Sequence, residues 1–136
     1  MVGQSQRSGW GKRLAQGMAV VALGWALGAA AARELPASGI PTVALSALPV
    51  QAQQTHQLVF TGGPFPYAKD GTVFGNRERL LPAQRRGHYR EYTVRTPGAR
   101  NRGARRLVCG GDVPTRPQAC YYTEDHYASF RQVLTN

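Results

Sequence analysis

The sequence predicts an α+β domain in which one N-terminal helix packs on a small antiparallel β-sheet. A single helix-type pattern occurs at about residues 49–60. After Asp70-Gly71 the chain changes to short runs of β-branched and aromatic residues, separated by Gly, Pro or Asn. One helix followed by several short strands is typical of an α+β domain.

Residues 1–32 are predicted to be a secretory signal peptide. Arg7, Lys12 and Arg13 precede an apolar run from Met18 to Ala32 that ends in small residues. The run is shorter than the roughly 20 residues of a membrane span, with an uncleaved anchor as the alternative. We expect a secreted protein free of the membrane after processing, exported through the periplasm if the host is Gram-negative.

The exported chain divides into a flexible leader at residues 33–43 and one domain at residues 44–136. The helix is predicted from about Pro49 to Phe60, because Pro is accepted in a first turn and Gly62 or Gly63 can end it. Its expected buried residues are Ala52, Thr55, Leu58 and Val59, with His56 at the surface or in packing. The predicted strands are residues 73–74, 88–94, 105–109 and 121–123.

Cys109 and Cys120 are the only cysteines, and both lie in the exported part. Small exported domains commonly use disulfides, so we predict a bond between them that closes the loop 110–119. Two thiols with only His126 nearby make an incomplete zinc site. No metal or other cofactor is expected.

Positive charge dominates the exported part. Three of the 17 basic residues lie in residues 1–32, so 14 face all 7 acidic residues and the remainder carries +7. Lys69 is its only lysine, and arginine pairs bidentately with phosphate and stacks on bases. This favours a nucleic-acid partner, although a soluble basic surface would also explain the charge.

Four residues supply the groups needed to cleave RNA without a metal: Glu91, Arg102, Arg106 and His126. A base must take the proton of the ribose 2′-hydroxyl, an acid must protonate the departing 5′ oxygen, and cations must stabilise the phosphoryl charge. If residues 102–108 were extended, both arginines would share a face. Taken singly, each residue is more often a surface charge or an ion-pair partner.

Seven short motifs follow one another along the chain. They are Leu45-Ser46-Ala47-Leu48-Pro49, Gly63-Pro64-Phe65-Pro66-Tyr67, Asn76-Arg77-Glu78, Glu91-Tyr92-Thr93-Val94, Thr96-Pro97-Gly98-Ala99-Arg100, Arg102-Gly103-Ala104-Arg105-Arg106 and Tyr121-Tyr122-Thr123-Glu124-Asp125-His126-Tyr127. In this order they closely resemble the secreted bacterial guanyl-specific ribonucleases, the small microbial family that includes barnase and its streptomycete and fungal relatives. The resemblance runs from about Leu45 to Phe130.

The resemblance implies the microbial ribonuclease fold and a role for each of the four residues. Glu91 matches the general base, His126 the general acid, and Arg102 and Arg106 the phosphate-binding arginines. RNA would be cut 3′ to guanosine through a 2′,3′-cyclic phosphate, which is then hydrolysed to a 3′-phosphate.

The family's guanine site falls on Phe74, Asn76, Arg77 and Glu78 of this chain. Backbone N–H groups around Asn76 and Arg77 would meet guanine O6, and Glu78 would accept from N1-H and the 2-amino group. Tyr127, together with Phe74 or Arg77, is expected to pack on the base or ribose, with core packing as the alternative for Phe74.

The expected partner is single-stranded RNA, bound by a monomer. If the resemblance extends to regulation, a small acidic inhibitor similar to barstar could cap the basic cleft. The competing hypothesis is a non-catalytic basic protein that binds nucleic acid. Such a protein needs arginines but has no use for Glu78 or for an acid and base around one phosphate.

Overall fold

The computed structural model describes residues 39–136, in which one α-helix and a six-stranded sheet account for the regular structure. The predicted signal peptide lies outside the described residues. A 3-10 helix at Leu45–Ala47 precedes helix α1 at Val50–Thr61. The strands are β1 Thr42–Ala44, β2 Thr72–Val73, β3 Tyr89–Thr93, β4 Arg106–Gly110, β5 Ala119–Thr123 and β6 Arg131–Leu134, in the spatial order β1-β6-β5-β4-β3-β2.

Helix α1 lies where the sequence predicts it. It ends at Gly62, which adopts the left-handed conformation (φ 81°) that glycine reaches without a steric penalty. Four of its residues are buried, including His56, whose pKa is lowered by burial. The His56 ring packs 4.8 Å from that of Phe60, which is the packing role expected of it. No helix within residues 39–136 has the length and apolarity to cross a membrane.

The sheet is mixed, whereas an antiparallel sheet is predicted. Strands β2 to β6 pair antiparallel, but β1 runs parallel to β6. Of the leader predicted at residues 33–43, the structure describes residues 39–43, and these are not a flexible segment, because Ile40 is buried and β1 begins at Thr42. Residues 42–44 form a strand because they pair with β6, about 90 residues later in the chain, so no local sequence pattern predicts this strand.

The two faces of the sheet carry separate cores, as the alternation of side chains along a strand requires. Leu107 and Tyr122 belong to the core that packs against α1. Val108 and Tyr121, their neighbours in sequence, point to the opposite core, which also contains Tyr89. Glu91 lies two residues after Tyr89 on β3, so it shares this second face.

The predicted disulfide between Cys109 and Cys120 is confirmed. The two cysteines lie directly opposite each other on β4 and β5, with Cα atoms 4.1 Å apart. The loop that they close joins the strand ends opposite to those that carry Arg106 and Thr123.

Candidate active site

A groove of about 750 Å³ opens on the sheet face away from α1. It is lined by Glu91 from β3, by the loop that follows β2 and by the turn that follows β5. The lining residues are Val73, Phe74, Gly75, Asn76, Arg77, Glu78, Leu80, Glu91, His126, Tyr127, Ala128 and Phe130. The predicted base, the predicted acid and every predicted guanine-site residue therefore lie in one depression.

Glu91 is held by donors on both carboxylate oxygens. Arg102 donates from Nη2 to Oε1 at 3.0 Å, and the Tyr127 hydroxyl donates to Oε2 through a very short hydrogen bond. The Glu91 side chain is only 14% exposed. Two donors and partial burial therefore fix the orientation of the Glu91 carboxylate in the groove.

His126 and Tyr127 form a turn of unusual backbone conformation. Both have positive φ, 54° and 71°, although neither is glycine. Left-handed geometry costs an L-residue about 1–2 kcal/mol, and strained residues of this kind cluster at functional sites. The His126 N–H donates to the carbonyl of Ala104 at 3.1 Å, which ties the turn to the segment that precedes β4.

Tyr127 connects the predicted base to the rest of the groove. Its ring stacks on Phe74, with centroids 5.0 Å apart, and Arg106 Cζ lies 6.0 Å from its centroid. Burial, followed by the hydrogen bond to Glu91, raises the pKa of Tyr127 to about 12. The phenol therefore stays protonated and remains a donor throughout the neutral range.

The two predicted phosphate-binding arginines differ in exposure. Arg102 comes from the loop between β3 and β4 and is half-buried, with Nε donating to Thr93 Oγ1 at 3.0 Å. Arg106 is 2% exposed, and its Nη1 donates to the carbonyls of Gly103 and Arg105 at 2.9 and 2.8 Å. Its Nε is buried without a partner among the described residues.

The arginines do not share a strand face, because β4 begins only at Arg106. Gly103 adopts a φ of 64°, which breaks the extended conformation supposed for residues 102–108. Arg102 nevertheless reaches Glu91 from the loop. Arg106 instead lies at the start of β4, with its Cζ atom 6.0 Å from the centroid of the Tyr127 ring. Neither arginine is among the residues that line the groove.

The predicted guanine loop is anchored by Asn76. Its side-chain amide accepts from the Leu81 N–H at 3.2 Å and donates to the Leu81 carbonyl at 3.0 Å. Asn76 has a φ of 48° and its carbonyl accepts from the Arg79 N–H at 3.0 Å. The Asn76 side chain is used in shaping the turn, whereas the Arg77 and Glu78 side chains of the same loop are exposed at the groove.

Phe74 takes part in both the core and the groove. It is half-buried, packs against the core on the groove side of the sheet and meets Phe130 edge-on at 6.0 Å. Its stacking on Tyr127 extends this core to the groove wall. Both roles considered for Phe74 are therefore compatible with its position.

A family model for ribonucleases matches residues 31–134 of this chain. The chain belongs to the ribonuclease family. This confirms the resemblance found in the sequence, and the α+β fold agrees with it. Within residues 39–136 no cluster of three or more His, Cys, Asp or Glu side chains is arranged to hold a metal ion.

Curated relatives of this ribonuclease carry more specific names. Guanyl-specific ribonuclease Sa3 of Kitasatospora aureofaciens is 58% identical over 91 residues, which cover 67% of this chain and 62% of that protein. Guanyl-specific ribonuclease Sa of the same organism is 56% identical over 65% of this chain and 88% of its own length. Guanyl-specific ribonuclease St of Saccharopolyspora erythraea is 50% identical over 73% of this chain and 93% of its own.

Solved structures show the same fold. A crystal structure of ribonuclease Sa2 with guanosine-2′-cyclophosphate matches with a TM-score of 0.64 and 43% identity, covering 71% of this chain and 98% of that one. A second crystal structure of Sa2, with 3′-GMP, matches with a TM-score of 0.63 and 42% identity. It covers 71% of this chain and 99% of the Sa2 chain.

Some contacts at the site of this ribonuclease are not predicted from the sequence. They include the Thr93 hydroxyl that holds Arg102, the Ala104 carbonyl that holds His126, and a hydrogen-bond network around Asp125. The alternation along β3 places Thr93 on the face of Glu91 and is the one sequence signal for these contacts. The others depend on loop conformations.

Proposed function

We propose that this ribonuclease is a guanyl-specific endoribonuclease that cuts single-stranded RNA 3′ to guanosine without a metal. The observation that carries the proposal is the shared groove, which brings Glu91 and His126 together with the loop 74–78. The names of the relatives and the nucleotides in the Sa2 complexes support the same reaction and the same base.

The first step is transesterification. The Glu91 carboxylate takes the proton of the ribose 2′-hydroxyl as the 2′ oxygen bonds to phosphorus. The bond from phosphorus to the 5′ oxygen breaks, and protonated His126 delivers a proton to that leaving oxygen. Arg102 and Arg106 stabilise the charge that gathers on the phosphoryl oxygens.

The second step is hydrolysis of the cyclic phosphate with the roles reversed. His126, now neutral, takes a proton from water as the water oxygen bonds to phosphorus. The bond from phosphorus to the 2′ oxygen breaks, and Glu91 returns a proton to that oxygen. DNA lacks the 2′-hydroxyl and therefore cannot begin this sequence.

Guanine is selected by the loop 74–78. Glu78 is exposed at the groove and can accept from the N1-H and the 2-amino group of guanine. Adenine presents an acceptor at N1, which would leave the carboxylate without a partner. When a ligand without the matching donor binds, the polar group of the protein is desolvated and has no hydrogen-bond partner, so the site rejects that ligand.

The protein would act outside the cell as a monomer on single-stranded RNA. Cleavage of residues 1–32 would release it, and the Cys109–Cys120 disulfide suits an oxidising compartment. An acidic inhibitor similar to barstar is a candidate partner, because the charge beyond residue 32 is +7.

The test is cleavage, in excess EDTA, of a short RNA that contains one guanosine. The purified protein should cut 3′ to that guanosine and yield a 2′,3′-cyclic phosphate before the 3′-phosphate. Replacing only that nucleotide by 2′-deoxyguanosine should abolish the cut. Glu91→Gln and His126→Ala should each lower kcat by about 100-fold or more.

Glu124→Gln provides the matched control for Glu91→Gln. Glu124 is exposed, and its Oε1 atom lies 3.7 Å from Arg131 Nη2. Its substitution by glutamine removes the same negative charge as Glu91→Gln does. The Glu124→Gln variant should cleave the RNA at the same rate as the wild type. A folded protein that binds this RNA but leaves it intact would instead favour the non-catalytic alternative.

A further inference from the structure

The turn that presents His126 and Tyr127 is supported by a hydrogen-bond network centred on Asp125. Thr123 Oγ1 donates to Asp125 Oδ1 at 2.8 Å, and the Ser129 N–H donates to the same oxygen at 2.9 Å. Ser129 Oγ donates to Oδ2 at 2.5 Å. These bonds, from Ser129 first and Thr123 next, hold the pKa of Asp125 below its ordinary value.

Asp125 also determines how Thr123 is used. A hydroxyl has one proton to donate, and Thr123 gives that proton to the Asp125 carboxylate. A lone pair of Thr123 Oγ1 is then available to accept from the Tyr127 N–H at 3.1 Å. Thr123 is 1% exposed, so water does not compete for its hydroxyl.

This relay acts on a segment that needs external support. His126 and Tyr127 both hold positive φ, and adjacent non-glycine residues rarely adopt that conformation. The relay fixes the backbone N–H of Tyr127, and the Ala104 carbonyl fixes that of His126. If the relay is lost, the turn can relax toward ordinary geometry and carry both rings away from Glu91.

We propose that Asp125 is a positioning residue for the reaction, which orients His126 and Tyr127 through the buried hydroxyl of Thr123. The inference rests on the proposed function, because it assigns His126 as the group that protonates the leaving oxygen. Asp125 acts as a hydrogen-bond acceptor in this role. Its charge is not required.

The experiment compares Asp125→Ala and Asp125→Asn with the wild-type full chain, using the single-guanosine RNA. Both variants remove the charge, but Asn keeps an acceptor oxygen for Thr123. We expect kcat of Asp125→Ala to fall about 10- to 100-fold, because a misplacement of about 1 Å at an active site can cost 100-fold. Asp125→Asn should keep most of the activity.

Asp112→Ala is the matched control for charge and exposure. Asp112 is exposed and pairs with Arg85 at 2.8 Å, in the loop at the far end of the β4–β5 hairpin. The kcat of the Asp112→Ala variant should equal that of the wild type. Circular dichroism and thermal unfolding establish that each variant is folded when assayed.

Thr123→Val and Thr123→Ser form an independent pair if Asp125→Ala does not fold. Valine matches threonine in shape but cannot relay the hydrogen bond, whereas serine keeps the hydroxyl. Activity that is lost in the valine variant and kept in the serine variant supports the relay. Equal activities of the two variants overturn it.

The outcomes separate this inference from the proposed function. A wild-type chain that does not cleave overturns the proposed function. A cleaving wild type with an equally active, folded Asp125→Ala overturns the inference alone. Equal loss of activity in Asp125→Ala and Asp125→Asn also overturns it, because the charge would then be the property that matters.

Discussion

Tyr127→Phe removes one hydroxyl and retains the ring that stacks on Phe74 and faces Arg106. The lost hydroxyl donates to Glu91 Oε2. Hydrogen bonds to charged groups contribute about 1.5–3 kcal/mol to stability. The Glu91 side chain is 14% exposed and Tyr127 is half-buried, so water can partly replace the donor.

The lower part of that range, about 1.5–2 kcal/mol, is therefore the expected loss in the free energy of unfolding. For a domain near 100 residues this corresponds to a decrease of about 7–10 °C in Tm. Activity should change far less than in Glu91→Gln, because the carboxylate and its bond to Arg102 are kept.

The assay is urea and thermal unfolding of both proteins, with kcat and KM measured alongside. Tyr122→Phe is the control, because its hydroxyl is buried without a partner among the described residues. Removing an unsatisfied hydroxyl should leave stability unchanged or raise it. A Tyr127→Phe protein as stable as the wild type would show that the contact with Glu91 is absent in solution.

Three further outcomes are expected. Glu78→Gln should reduce the ratio of kcat/KM between guanosine and adenosine RNA about 10-fold or more without changing Tm; an unchanged ratio removes Glu78 from the recognition site. Replacing Cys109 and Cys120 by alanine should lower the unfolding free energy by about 3 kcal/mol, as a loop of this length implies, with kcat retained. A loss of activity in the folded double variant would contradict the separation of the disulfide from the groove. Hydrogen bonds from Ser129 favour the charged form of Asp125, so the folded-state pKa of this carboxyl lies below its ordinary value of 3.8. The ionised Asp125 therefore stabilises the fold fully above pH 3.8, and this stabilisation is lost as the pH falls through the lower folded-state pKa. The stability gap between the wild type and Asp125→Asn should therefore narrow in urea unfolding between pH 7 and pH 2, and a constant gap would contradict this sign.

Local patterns were sufficient to predict the helix, the central strands and the disulfide. Proline and glycine mark the two ends of α1, and three of the five residues in each of β3 and β5 are Tyr or Thr, which favour strands. Cys109 and Cys120 are adjacent because the hairpin between them pairs in register. Each of these features depends on neighbours in sequence.

Features that depend on distant pairing could not be predicted. Strands β1 and β6 have three and four residues and are defined mainly by pairing with other strands. Dependence on distant contacts also explains why the positions of Arg102 and Arg106 were not predicted correctly. Arg102 reaches Glu91 because Gly103 turns the chain, and no periodicity in residues 102–106 indicates that turn.

The pairing of β1 with β6 has a consequence for how the protein is made. Residues 42–44 emerge from the ribosome long before residues 131–134, and their strand has no partner until the later segment is available. Contacts between such distant segments form slowly, because a long loop must close first. The sheet can therefore be completed only after residues 131–134 have been synthesised. A chain that stops before residue 126 lacks not only that last strand but also His126 and Tyr127, which line the groove.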